Sequence, residues 1–252
     1  MAAKRKTEPA EELSWHSYLD LSRTLPASFV FVAPLLILYH IGVLGYPQAH
    51  NGAQPLLDQL LHRLRHLGPE FFSFLLIGLI CLAVWLTRKK QPHQRGIYAL
   101  MFLESCGWAA LMMIAALLLP VGQLSIEGEG DWFGRALQHA EALAPEVIGA
   151  AGAGVYEEAV FRLILLGGMI QVLTRYFGAD PRWVVPVAIL VSAIVFSYAH
   201  HGLGGEPWGR RVFAIRTAMG LFLGGIYWAR GIGIAVYAHA LYNVVLAVVN
   251  HF

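Results

Sequence analysis

The sequence predicts an all-α fold, a polytopic helical bundle embedded in a membrane, and three observations predict it. Of 252 residues, 13% are charged and 57% hydrophobic, against ~25% charged and ~45–50% apolar in ordinary soluble domains. With a mean hydropathy of +0.57, the chain has too few charges to cover a soluble surface. Apolar runs long enough to cross a bilayer, ~20 residues each, recur along the chain. None of them alternates with period two, as the strands of a membrane barrel would. The same composition excludes intrinsic disorder, coiled coil and a secreted disulfide scaffold. The net charge of +2 gives no reason to expect a nucleic-acid partner, so the expected surroundings are the lipid bilayer.

Residues 1–27 read as an N-terminal cytoplasmic and interfacial segment, and 28–252 as a single membrane domain without repeats or a low-complexity linker. Met1 to Glu12 is polar, with Lys4, Arg5 and Lys6, and no apolar core with a small-residue cleavage site follows directly, so no cleaved signal peptide is expected. Glu11 to Leu25, with Trp15 and Tyr18 three apart on one helical face, suits an interfacial helix. Seven spans are expected: Ser28–Gly45, Phe71–Thr87, Ile97–Leu119, Val147–Thr174, Trp183–His200, Val212–Ala229 and Ile232–Asn250. Only Arg230 and Gly231 separate the last two. Between the first two, Leu56, Leu57, Leu60, Leu61, Leu64 and Leu67 recur at helical spacing, with Asp58, Gln59, His62, Arg63 and His66 on the other face. That pattern lies on a membrane rather than crossing it.

Lysine and arginine in short loops orient a membrane protein. With the N-terminus inside, eleven fall on one side (Lys4, Arg5, Lys6, Arg23, Arg88, Lys89, Lys90, Arg95, Arg175, Arg182, Arg230) and five on the other (Arg63, Arg65, Arg135, Arg210, Arg211). This places the N-terminus in the cytoplasm and, across seven spans, the C-terminus outside. The expected location is a bacterial inner membrane.

Ionisable groups within a span are costly and mark functional sites by default. The fourth span holds Glu157, Glu158 and Arg162. Glu158 and Arg162 stand four apart on one face, acid first, the better order for an ion pair. Glu157 points about 100° away, with no such partner in its own helix. A cluster of this kind also serves as a structural ion pair between helices. The fifth span ends Phe196-Ser197-Tyr198-Ala199-His200-His201, and the seventh contains His239 and Asn243 on one helical face. An acid, two histidines and an asparagine on three late spans can project into a common cavity. His40, Glu104 and Arg216 are single polar groups in spans, for which packing roles are expected.

Taken together, Glu-Glu-x-x-x-Arg (Glu157, Glu158, Arg162), Phe-x-x-x-His (Phe196, His200) and His-x-x-x-Asn (His239, Asn243) resemble the three-motif pattern of the CPBP intramembrane proteases. That family includes the type II CAAX prenyl endopeptidase and bacterial Abi-type proteins. The motif region is about 146–250. The resemblance implies an intramembrane endopeptidase that cleaves a membrane-associated peptide or protein. It makes Glu157 the base that activates water, His200 a group that positions and polarises that water, and His239 and Asn243 donors to the oxyanion. Glu158 and Arg162 would orient Glu157, and Phe196 would pack against the site. No cofactor is required on this reading. Zinc stays open, with Glu157, His200 and His239 as its ligand set, although no compact His-Glu-x-x-His arrangement occurs. The chain departs from the CAAX endopeptidase in two respects. Seven spans are expected rather than eight, and the charge count puts His200 at the outer end of its span. Cleavage of prenylated CAAX tails is therefore not the expected specific activity. The alternative is a non-catalytic scaffold or bacteriocin immunity protein of the same fold. A proton-coupled carrier would need paired halves with interrupted spans, which the sequence lacks.

Overall fold

A computed structural model describes residues 14–47, 49, 96–118, 140–202 and 208–251, together with Leu75, Ile77, Gly78, Cys81, Leu82 and Trp85. All the regular secondary structure among them is helical. Helix α1 (Trp15–Ser22) starts at Ser14, whose hydroxyl accepts from the Ser17 amide. Thr24 caps α2 (Leu25–Gly45) in the same way, with Pro26 in its first turn, where a missing N–H costs nothing. Helix α3 is Ile97–Leu118 and α4 is Ala140–Glu157. The chain then continues without a break through a π-helical segment, Glu158–Leu166, into α5 (Gly167–Arg175). Helices α6 (Pro181–Gly202), α7 (Arg210–Arg230) and α8 (Ile232–His251) complete the order.

Five of these helices are long and apolar enough to cross a membrane: α2, α3, α6, α7 and α8. They correspond to five of the seven expected spans. The fourth expected span is helical throughout, but it carries Glu157, Glu158 and Arg162 and changes from α to π at Glu158. Of the second expected span, the described positions are helical, and the rest of it lies outside the described residues. So do the leucine-striped amphipathic helix and residues 1–13. The expected interfacial helix is α1, where the Trp15 and Tyr18 rings lie 5.4 Å apart.

Helix α8 is the centre of the bundle, packed against α3, α4, α2 and α7. Two glycines make this possible. Gly154 sits so close to α8 that a Cβ there would lie 2.7 Å from the Val236 carbonyl oxygen. Backbone contact of this kind is how membrane helices without a hydrophobic driving force associate. Gly231, at φ +86°, reverses the chain between α7 and α8 in a conformation that a side chain would strain. A turn of one residue thus divides the last two spans, as the sequence suggested.

The bundle has two unlike ends. Arg23, Arg175, Arg182 and Arg230 lie at the start of α2, the end of α5, the start of α6 and the end of α7, which are adjacent in this antiparallel arrangement. Arg210 and Arg211 begin α7 at the opposite end. At the arginine-rich end Glu104 of α3 is clamped by Arg230 through Nε at 2.5 Å and Nη2 at 2.9 Å. Tyr18 and Trp108 donate to the same carboxylate, and Arg230 also donates to Ser22 at 2.9 Å. Burial and the adjoining Glu104 carboxylate push the Tyr18 phenol well above its ordinary range, so it remains a donor. Glu104 has the packing role expected of it, and it ties α1, α3 and α7 together.

Candidate active site

Where α4 passes into the π segment, two consecutive glutamates both reach α8. Glu158 is fully buried and meets Arg162, also fully buried, at 3.1 Å, the pair that four-residue spacing predicts. The same carboxylate oxygen, Oε1, takes a hydrogen bond from His239 Nδ1 at 2.8 Å. Arg162 extends to the Gly220 carbonyl on α7 at 3.4 Å and lies 4.4 Å above the Phe196 ring. Glu158 and Arg162 therefore hold α4, α6, α7 and α8 in register around one charge pair. Burying such a pair is costly unless its remaining atoms are engaged, and here Glu158 Oε2 and Arg162 Nε are buried without a hydrogen-bond partner among the described residues.

Glu157 is not left alone by that arrangement, as the helical wheel suggested it would be. Its Oε2 stands 3.6 Å from His200 Nε2 and 3.8 Å from His239 Nε2. Both distances exceed a direct hydrogen bond but leave three polar atoms converging on one point. The tautomers follow from the other sides of the rings. His200 Nδ1 faces the Phe196 carbonyl at 2.9 Å, an atom that can only accept, so Nδ1 carries a proton. His239 Nδ1 faces a carboxylate, and the same holds when that carboxylate is ionised. In their neutral forms both rings present a lone pair at Nε2 towards Glu157. Each ring is oriented by a partner behind it, as catalytic and ligating histidines require.

Phe196 packs between these parts, as expected. Its ring is 4.8 Å from His200, 6.2 Å from His239 and 5.2 Å from Phe161. Glu157, Phe196, His200, His239 and Asn243 all line one cavity of about 330 Å³, whose remaining wall is mostly apolar and includes Met112, Ile215, Met219 and Leu223. The structure thus brings every residue of the three motifs to one place. It adds one that the sequence assigned to packing: Arg216 of α7 also lines the cavity. The available signal was its position on the face of α7 shared with Val212, Met219 and Leu223, but the motifs gave no reason to weigh it.

Glu157, His200 and His239 are donors of the type that zinc takes. Among the described residues, however, no group of three or more histidine, cysteine, aspartate or glutamate side chains is arranged to hold a metal ion. Glu158 and the Phe196 carbonyl would be the outer partners of the two histidines in such a site.

Comparison with curated proteins and with solved structures gives no match to the chain. A family model does match, over residues 140–245: type II CAAX prenyl endopeptidase Rce1-like. The matched stretch begins with α4, contains Glu157, Glu158, Arg162, Phe196, His200, His239 and Asn243, and ends two residues after the last of them. With its apolar helices the chain is an integral membrane protein, and residues 140–245 match the Rce1-like model of the CAAX-type proteases, in line with the three motifs.

Proposed function

We propose that this protein hydrolyses a peptide bond in a membrane-associated peptide or protein, and that Glu157 is the base. One observation carries the reading: Glu157 Oε2 and the Nε2 atoms of His200 and His239 converge at 3.6 and 3.8 Å in the wall of a cavity shared with Asn243. A water held there lies within reach of both the carboxylate and His200. Glu157 takes one proton, and the oxygen attacks the scissile carbonyl carbon. The carbonyl π pair moves onto its oxygen, where the Asn243 amide and His239 Nε2 donate. Collapse of this intermediate expels the amine, which leaves with the proton that Glu157 had taken. General base catalysis contributes ~10²–10⁴ in rate, and each oxyanion donor ~10²–10³. Because His239 Nδ1–H is given to Glu158, donation from Nε2 requires the doubly protonated ring. Glu158 is the counter-charge for that state, with Arg162 holding Glu158 in place.

A second reading is favoured by the same contact. A neutral His239, its Nδ1–H on a carboxylate and its Nε2 lone pair forward, has the orientation of a zinc-ligating histidine. In that case Glu157, His200 and His239 would hold the ion, which would supply Lewis-acid activation of water, and Asn243 alone would serve the oxyanion. We favour the metal-independent reading because Asn243, a poor zinc ligand but a good amide donor, lines the same cavity as His239 and suits an oxyanion better than a cation. Metal content of the detergent-purified protein, measured beside a chelator titration of activity, separates the two. Stoichiometric zinc whose removal abolishes activity and whose return restores it would establish the second.

The alternative of a non-catalytic scaffold or immunity protein makes no use of the convergence on Glu157. Comparative proteomics of membrane fractions from cells with the wild-type protein or Glu157→Gln tests the activity itself. The expected result is one precursor that accumulates in the variant and is cut by the purified wild-type protein. If none accumulates and none is cut, the protease reading fails. We also propose a bacterial inner-membrane location with the N-terminus in the cytoplasm, on the eleven-to-five split of basic residues. Reporter fusions at the two termini should report opposite sides, and a common side would overturn the expected seven spans.

A further inference from the structure

A second and larger cavity, about 720 Å³, lies at the arginine-rich end of the bundle, and the proposed chemistry does not use it. Along α7 the catalytic cavity takes residues from Val212 to Leu223, and this one takes Tyr227 and Trp228. Its walls come from the α1–α2 junction, the π segment, the first turn of α5 and the turn between α7 and α8. Its size is within the ~300–1,000 Å³ range of small-molecule sites.

The chemistry of the walls selects the occupant. Leu25, Ile164 and Trp228 line the cavity and are each about half exposed. In a membrane protein, apolar side chains exposed at that level face lipid. The floor is open at Gly168, where a Cβ would meet nothing within 4 Å. Arg23, exposed at the start of α2, and Gln171 supply a cation and an amide. Trp228 sits at the helix-end level where indoles mark the headgroup region. A ligand for this site needs a long apolar body, a negative charge at the interface and access from the bilayer. Basic pockets between spans bind anionic headgroups for the same reason.

We propose that this cavity binds one anionic glycerophospholipid of the surrounding bilayer, its phosphate paired with Arg23 and an acyl chain lying over Gly168 against Ile164 and Leu25. The site is independent of peptide hydrolysis, so its test needs no substrate. The full-length protein, purified in detergent and loaded with phosphatidylglycerol or phosphatidylcholine of identical acyl chains, is read by native mass spectrometry for retained lipid. The wild type should keep one phosphatidylglycerol, preferred about fivefold, the ratio given by ~1 kcal/mol for one basic residue at a membrane surface. Arg23→Gln, an exposed substitution without packing cost, should keep lipid and lose the preference. Gly168→Leu, which fills the cavity, should lose both lipids. Equal retention of the two lipids by the wild type would overturn the headgroup assignment. Undiminished retention by Gly168→Leu would overturn the site. Should Gly168→Leu fail to fold, Leu25→Trp blocks the same cavity from its lipid-facing side and is read identically.

Discussion

Two ion-pair clusters stand in this bundle, one half-buried around Glu104 and one fully buried around Glu158, and they differ in what their carboxylates are left to do. At the arginine-rich end, Glu104 is saturated: one oxygen accepts from Arg230 Nε and Trp108, the other from Arg230 Nη2 and Tyr18. At the cavity, Glu158 is held through one oxygen, Oε1, by Arg162 and His239, while its Oε2 is buried without a hydrogen-bond partner among the described residues. Glu157 faces two histidine nitrogens at 3.6 and 3.8 Å. A charge in a span is therefore no sign of chemistry by itself. The sign is a charge whose neighbours converge on a cavity instead of closing on the charge.

The sharpest way to break the comparison is to remove one carboxylate from each cluster. Glu157→Gln should lower the rate of peptide hydrolysis by ~10²–10⁴ while the protein remains folded, because the amide keeps the size of the side chain and no buried cation depends on it alone. Glu104→Gln should do the reverse. It leaves Arg230 without its counter-charge, which costs up to ~3 kcal/mol, while the rate per folded molecule stays near wild type. Activity and thermal unfolding measured on both variants check the pair. A Glu157→Gln protein with near-normal turnover would remove the catalytic assignment.

Next in size are the two residues of α8 that face the cavity. His239→Ala and Asn243→Ala should each slow hydrolysis by ~10²–10³ if both serve the oxyanion. They should differ in stability, because only His239 bonds to Glu158 and its loss leaves that buried carboxylate with one partner fewer. Metal content separates them further. If His239 is a ligand, its substitution lowers bound zinc together with activity, and Asn243→Ala leaves zinc unchanged. Arg162→Ala belongs with the structural set: it strands Glu158 at full burial, and the loss should appear as folded yield.

Much of this was legible in the sequence, for reasons that the residues make plain. Apolar runs must be helices in lipid, so five spans could be read nearly to the residue, and the Glu158–Arg162 pair follows from helical spacing alone. The motifs named residues that the fold gathers around one cavity. What they did not give is the geometry between them. A π segment beginning at Glu158 has no sequence signature, and the distances of Glu157 and Glu158 from His239 depend on how α8 packs against that stretch. The wheel of a regular helix left Glu157 pointing away with no partner. Arg216 had no motif spacing by which the sequence could place it, and its position at the cavity depends on how α7 packs. Arg230 counted as a loop charge for orientation, but it is buried on Glu104, because a residue at a tight turn can reach back along its own bundle.

The smallest expected effect tests whether the Glu104 cluster is as closed as its contacts imply. Tyr18 donates one of the four hydrogen bonds that Glu104 receives, and its ring lies 5.4 Å from the Arg230 guanidinium. In Tyr18→Phe the ring and its packing remain and one donor is lost, while Arg230 and Trp108 still satisfy the carboxylate. A single hydrogen bond to a charged group is worth ~1.5–3 kcal/mol, and the retained bidentate arginine should hold the loss to the lower end. The expected result is a small drop in unfolding temperature with hydrolysis unchanged, since α1 lies at the opposite end of the bundle from the Glu157 cavity. If Tyr18→Phe lowered the rate per folded molecule as much as Asn243→Ala does, the two clusters would be coupled through α7 or α8. The arginine-rich end would then have to be counted as part of the site.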